Sequence, residues 1–310
     1  MATDATAALG SFDEYGMAPR SSRWAELGRH ARRNPLGVIA LIIVVAFISL
    51  GAVQTVSHEV FDTAIAPYDP REINAPEQLQ GPSWDHPFGT NQAGNDLFSR
   101  ILAGARISFL IGFIAVFLGF VPGAFLGIVS GYYQRWLDYV IQRSGEAWTA
   151  FPVLFLYLAF ITAMGQGLRT IAIVVAISSV FGGSRVLRAV ALVTKQNEYI
   201  TAAKALGASE LRILFRHVIP NVMPVIIVTA SSIFAVSVLA ESALSFLGIG
   251  VEPGTPSWGI DLNEGLENGR FFPHLVIFPG LAISIVVLGL NLLGDTLRDI
   301  LDPRLRGTLN

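Results

Sequence analysis

The sequence predicts an all-α integral membrane protein with six transmembrane helices. Three observations lead there. Only 14% of its 310 residues are charged and 52% are hydrophobic, against about 25% charged in an average soluble domain. The apolar residues gather into six stretches, each near the ~20 residues that cross a bilayer at ~1.5 Å per residue. The basic residues between those stretches are unevenly shared between the two sides, as the positive-inside rule demands.

Taken in order, Met1 to about Arg20 is a polar tail rich in small residues. Ser21–Asn34 reads as an interfacial helix, with Trp24 and Leu27 toward lipid and the arginines toward headgroups; Pro35 punctuates its end. Residues 1–35 are therefore a tail plus interfacial helix. Residues 36–56 form the first span: Leu36–Val56 is uncharged and exceeds the ~7–15 residues of a signal-peptide core, so it is expected to be retained. Residues 57–105 are an external insertion with prolines at 67, 70, 76, 82 and 87. Near its end Asp96 is placed to N-cap an amphipathic helix built on Leu97, Ile101 and Leu102.

The remaining spans are Ile107–Tyr132, Ala147–Met164, Thr170–Val193, Val218–Leu247 and Leu275–Gly294. Arg185 and Arg188 in the fourth stretch can snorkel if they lie near a membrane face. Between the last two spans, Gly248–Pro273 is dense in proline and glycine, which favours a fixed, turn-rich cap over a helix. Pro122, Pro152 and Pro224 fall in helix interiors or first turns, where the missing N–H produces kinks.

With the N-terminus inside, sixteen of the 21 Lys and Arg residues lie inside and five outside. Both termini are therefore expected in the cytoplasm, and so is the polar interruption Lys195–Pro220. That segment, KQNEYITAAKALGASELRILFRHVIP, reads as helix, glycine break, helix. Tyr199, Ala202, Ala203 and Leu206 share one small-residue face at i, i+3, i+4 and i+7. Gly207 stands where a helix C′ residue needs positive φ, and Ser209 can cap the second helix. Pro220 marks entry to the next span. Such a knob at a membrane surface is shaped to dock closely into a partner.

The run Thr201-Ala202-Ala203, then Gly207, then Ile219-Pro220, resembles the EAA loop of bacterial ABC-importer permeases. Thr201 stands where the motif's glutamate is usual, and His217 where an isoleucine is usual. HPFGTNQAGNDLFSRILAGARIS at 86–108, GVEPGTPSWGIDLNEG at 250–265, SFLGIG at 245–250 and LLGDTLRDILDPRLR at 292–306 resemble the dipeptide, oligopeptide and nickel branch of that family, best its second permease subunit. Asn91 and Asn95 stand where an aspartate and an arginine are usual there.

The resemblance spans about Trp84 to Arg306 and implies a type I ABC importer permease fold in the bacterial inner membrane. It implies a five-helix permease core at 106–295, with the coupling loop at 195–220, and a cytoplasmic C-terminal tail at 296–310. The implied function is a permease subunit of an ATP-driven importer of di- or oligopeptides, forming half of the translocation pathway. The alternatives are an importer of nickel or another small solute, or a secondary transporter or channel. The implied partners are ABC ATPase subunits, a homologous second permease subunit and an external solute-binding protein, besides the lipid itself. The implied coupling residues are Tyr199, Thr201, Ala202, Ala203, Leu206, Gly207, Ile219 and Pro220.

Catalysis and cofactors are not expected. The chain has two lysines, Lys195 followed by Gln196 and Lys204 followed by Ala205, so neither fits GxxxxGK[ST] and ATP hydrolysis must reside in separate subunits. The five histidines show no HxxxH pair and there is no cysteine, which argues against a metal centre and excludes thiolate ligands. Gly182-Gly183-Ser184 resembles an intramembrane-protease nucleophile loop, but no histidine lies mid-span to activate Ser184. The net charge of −2 gives no reason to expect nucleic acid. Glu241 is the one acidic residue well inside a span. It is expected either to line the translocation path or to serve local structure, solvated by the outer vestibule about 9 Å away at the helix end.

Overall fold

The computed structural model describes residues 34–301, and among them it is helical throughout apart from loops and one isolated bridge between Thr90 and Asp96. The interfacial helix expected at Ser21–Asn34, with Trp24 and Leu27, lies outside the described residues but for Asn34. The tail beyond Leu301, with Arg304 and Arg306, does so too. The first helix, α1 (Pro35–Phe61), starts where Asn34 Oδ1 accepts from the Gly37 amide at 3.1 Å. Its buried seam of Gly37, Ala40, Val44, Phe47, Gly51, Gln54 and Ser57 recurs every three or four residues. That seam faces protein while Leu36, Ile39, Ile42 and Val45 stay exposed, as a lipid-facing helix permits.

The second span is one continuous 37-residue helix, Leu97–Tyr133, in three parts: α2 (Leu97–Ile114), a π-helical turn at Ala115–Phe120, and α3 (Val121–Tyr133). Asp96 caps it as its position foretold, accepting from the Ser99 amide at 2.8 Å. The fifth span has the same construction: α8 (Glu210–Ile213), a π turn at Leu214–Val218, and α9 (Ile219–Phe246). Each π turn ends two residues before a proline, Pro122 or Pro220. A proline donates nothing to the carbonyl four residues back, so that turn can widen: Val121 and Ile219 bond the carbonyls of Val116 and Leu214, five residues earlier. Pro220 thus opens no new helix. The knob's second helix and the fifth span are one rod.

The helix α6 (Leu168–Thr194) packs against α3 along a four-step ladder. A methyl added at Gly119, Gly123, Gly127 or Gly131 would lie 2.5, 2.2, 2.2 or 2.6 Å from the carbonyl oxygens of Ala176, Val180, Ser184 and Arg188. Both series advance by four, so the two helices run parallel with their backbones in near contact, as small residues allow in membranes.

Between these helices the chain makes α4 (Arg135–Thr149) and α5 (Val153–Met164), which meet at 84°. The third apolar stretch is therefore not one straight span. Pro152 is the N-cap residue of α5 and disfavours helical geometry at Phe151 before it, and twelve residues reach only about 18 Å at ~1.5 Å each. By length and composition five helices can cross a bilayer, or six if the bent pair counts as one. Arg188, whose side chain is 35% exposed, pairs with Asp138 on α4, its Nε and Nη2 donating at 2.5 and 2.6 Å.

The segment before the last span also departs from expectation. Its turns end at Pro256, and α10 (Trp258–Asn268) follows as a helix. Gly259 and Gly265 bring it close to the carbonyls of Ser242 and Leu275, while Trp258 fills the core and donates Nε1 to the Ile101 carbonyl at 2.9 Å. The packing gained by that face overrides the turn-forming composition. α11 (His274–Leu301) completes the bundle against α1 and α9.

Candidate functional site

The knob consists of α7 (Glu198–Ala205), a turn at Leu206–Ala208, and α8. Gly207 adopts φ +81°, and the turn closes with two hydrogen bonds: Gly207 N–H to the Lys204 carbonyl at 2.9 Å and Ala208 N–H to the Ala203 carbonyl at 3.1 Å. That pair is the Schellman arrangement, which needs a C′ residue in the left-handed region. Ser209 then caps α8, its hydroxyl accepting from Arg212 N–H at 3.4 Å.

The expected docking face is divided by the fold. Tyr199, Thr201, Ala202, Leu206 and Gly207 are exposed, Leu206 by 88%. Ala203 is half-buried and packs with Ala208 against the protein's own apolar cluster, and Ile219 packs there too. Pro220 is exposed on the rod beyond the π turn. The residue that anchors the knob is Ile200, which is 1% exposed and joins Ile213, Leu214 and Val218 in that cluster. No spacing argument singles it out, because the small-residue stripe marks the adjacent face. Tyr199 is held from outside the stripe by Asn221 Nδ2, which donates to its hydroxyl at 2.9 Å.

Behind the knob lies a polar cluster at the end of α3. The Tyr132 hydroxyl donates to Glu210 Oε2. Lys195 Nζ donates to the Tyr132 carbonyl at 2.6 Å, and Lys204 Nζ pairs with Glu210 Oε1 at 3.2 Å. Both ammonium groups also stand over the Tyr132 ring, 5.4 and 5.6 Å from its centroid.

Glu241 lies at the other end of the rod and is fully buried. Its Oε1 accepts from Ser245 at 2.9 Å and Ser257 at 2.8 Å, and its Oε2 from Ser108 at 3.2 Å and Ser242 at 3.4 Å. Solvation by an outer vestibule is therefore wrong, and the four hydroxyls take water's place. The carboxylate ties α9 to α2 and to the residue preceding α10. Ser184 is likewise internal, its hydroxyl accepting from Gln142 Nε2 at 3.2 Å in the α4–α6 packing.

At this cap end Arg100 Nε donates to Asp261 Oδ1 at 2.5 Å, and Arg100 Nη1 to the Pro70 carbonyl at 3.2 Å. Burial holds the Asp261 carboxyl up at about 6 despite that guanidinium, with Glu264 adding to the rise. Asn91 and Asn95 build the turn before α2: Asn91 Oδ1 accepts from the amides of Ala93 and Asn95, and Asn95 Nδ2 donates to the Glu72 carbonyl at 2.6 Å.

Residues 123–307 match the family model described as binding-protein-dependent transport system inner membrane component. The chain is 38% identical to the dipeptide transport system permease protein DppC of Alkalihalophilus pseudofirmus over 285 residues, 92% of this chain and 91% of that one. It is 39% identical, with the same coverage of both chains, to the glutathione transport system permease protein GsiD of Escherichia coli and to that of Shigella sonnei.

Proposed function

Since the chain belongs to the family of binding-protein-dependent transport system inner membrane components, we propose that it is one half of the permease pair of an ATP-driven importer of di- or oligopeptides. ATPase subunits, a homologous second permease subunit and an external solute-binding protein complete the machine. The knob Glu198–Ile213 faces the cytoplasm, as do both termini, and seats in the ATPase through Tyr199, Thr201, Ala202, Leu206 and Gly207. The core at 106–295 carries the pathway, behind an N-terminal segment 1–35, a first span at 36–56 and an insertion at 57–105.

The observation that carries this reading is the build of the knob. A rigid Schellman turn presents Leu206 to solvent, while the same unit is continuous with a 37-residue helix through the bundle. Pushing the knob therefore moves a long rod, which is what alternating access requires. The peptide substrate is supported by the names of the two relatives, one for dipeptides and one for glutathione.

The test is uptake by the complete importer in proteoliposomes. Labelled dipeptide or glutathione should accumulate only with ATP and the binding protein, and the ATPase should co-purify with the permease pair. Accumulation of nickel without peptide would overturn the substrate, and a permease pair that never retains an ATPase would overturn the coupling.

A further inference from the structure

The chain's only two lysines, 195 and 204, converge on one tyrosine ring. Tyr132 lies in the last turn of α3, Lys195 caps α6, Lys204 lies on α7 and Glu210 begins α8, so four elements meet at one 1%-exposed side chain. The ring is flanked by two cations, an arrangement stabilised by the aromatic quadrupole. Its hydroxyl donates to a carboxylate, the stronger, charge-assisted kind of hydrogen bond.

The opposite end of the same two rods is joined by another carboxylate. Glu241 on the α8–α9 rod accepts from Ser108 on the α2–α3 rod and from Ser257 before α10. Ser108 and Tyr132 are 24 residues apart on their rod, about 36 Å at ~1.5 Å per residue. Between the joints the rods touch at Gly112, where an added methyl would lie 2.1 Å from the Phe234 ring.

We propose that Tyr132 is a positioning residue for coupling: through Glu210 it ties the knob to the end of α3, so that knob displacement moves the α2–α3 and α8–α9 rods as one body and reaches the Glu241 joint and α10. Without the knob joint, the α8–α9 rod can give at its π turn, Leu214–Val218, and the displacement is absorbed there. The proposal rests on the ATPase-docking reading of the knob.

The experiment uses the assembled importer in nanodiscs and follows amide exchange in Trp258–Asn268 with and without ATP–vanadate trapping. It requires no knowledge of the transported substrate. In the wild type, trapping changes exchange at this far end. Tyr132→Phe should keep ATPase co-purification and ATP hydrolysis, yet reduce that far-end change about tenfold, the scale set by losing a hydrogen bond to a charged group. Glu210→Gln should act alike, the double variant should add little to either, and Tyr133→Phe should leave the response intact. A full wild-type response in Tyr132→Phe overturns the proposal. So does a loss of ATPase binding in Tyr132→Phe, because the residue would then merely hold the knob folded. If the wild-type pair retains no ATPase, the docking reading fails and the Tyr132 proposal falls with it.

Discussion

Replacing Leu206 by alanine separates docking from folding more cleanly than any other change in the knob. The side chain is 88% exposed, and its local role is carried by its backbone N–H, which bonds the Ala202 carbonyl at 3.1 Å. Truncation should therefore leave the Schellman turn intact. In a complex, burying the leucine would remove about three carbon groups from water at ~0.8 kcal/mol each, so Leu206→Ala forfeits about 2 kcal/mol of association. That is about a thirtyfold rise in Kd, since ~1.4 kcal/mol is tenfold. Ala203 cannot serve in the same way: it faces the protein's own cluster, and an aspartate there would disturb the knob as well as the interface. Ile200→Ala marks the other extreme, emptying a buried site at a cost of about 2–5 kcal/mol to the knob's own packing. The assay is titration of purified ATPase onto the nanodisc-held permease pair, with amide exchange of residues 198–213 and permease pairing as controls. A Kd within about threefold of wild type, with exchange unchanged, would refute the assignment of Leu206 to the interface.

Three further outcomes are expected. Glu241→Ala strands four serine hydroxyls and should cost about 3 kcal/mol or more; in Glu241→Gln the amide oxygen can still serve Ser245 and Ser257, so the loss should be about half that. Thermal unfolding in detergent should rank wild type, Gln, Ala, and equal melting of all three would contradict the joint. Gly123→Val should separate α3 from α6 and cost about 1–3 kcal/mol or more, because its Cβ would meet the Val180 carbonyl at 2.2 Å, whereas Gly182→Ala, with nothing within 4 Å, should melt as the wild type. For Asp261, a carboxyl held near 6 when folded and near 3.8 when unfolded binds more protons in the folded state between those values. Protection of α10 should therefore rise as pH falls from 7 through 6, and Asp261→Asn should flatten that slope; a slope that survives the substitution would assign it elsewhere.

Much of what is legible in the sequence is local. Asp96 and Ser209 cap helices through amides three residues on, and Gly207 supplies a positive φ between partners three and five residues apart. Such bonds depend on a few consecutive torsions, so residue type and spacing suffice. The apolar stretches are equally readable, because hydrocarbon excludes charge wherever the helix is placed. Two further signals lie in the chain and gain meaning only beside the packed helices. Glycines at 119, 123, 127 and 131 form a small-xxx-small series that marks a close helix neighbour, and the chain's two lysines, one before the knob and one on it, share one aromatic partner.

Packing alone decides which apolar or polar side chain meets which. The knob carries apolar residues on more than one face, so periodicity does not distinguish Ile200, which is buried, from Leu206, which is exposed. Gly248–Pro273 became partly helical because Trp258 found a core to fill, which turn composition cannot report. Glu241 was placed by hydroxyls 133 and 16 residues away, and Tyr132 by a carboxylate 78 residues on. A buried polar group must find partners or be destabilising, but the chain states only that need. Where the partner comes from is settled when the helices pack.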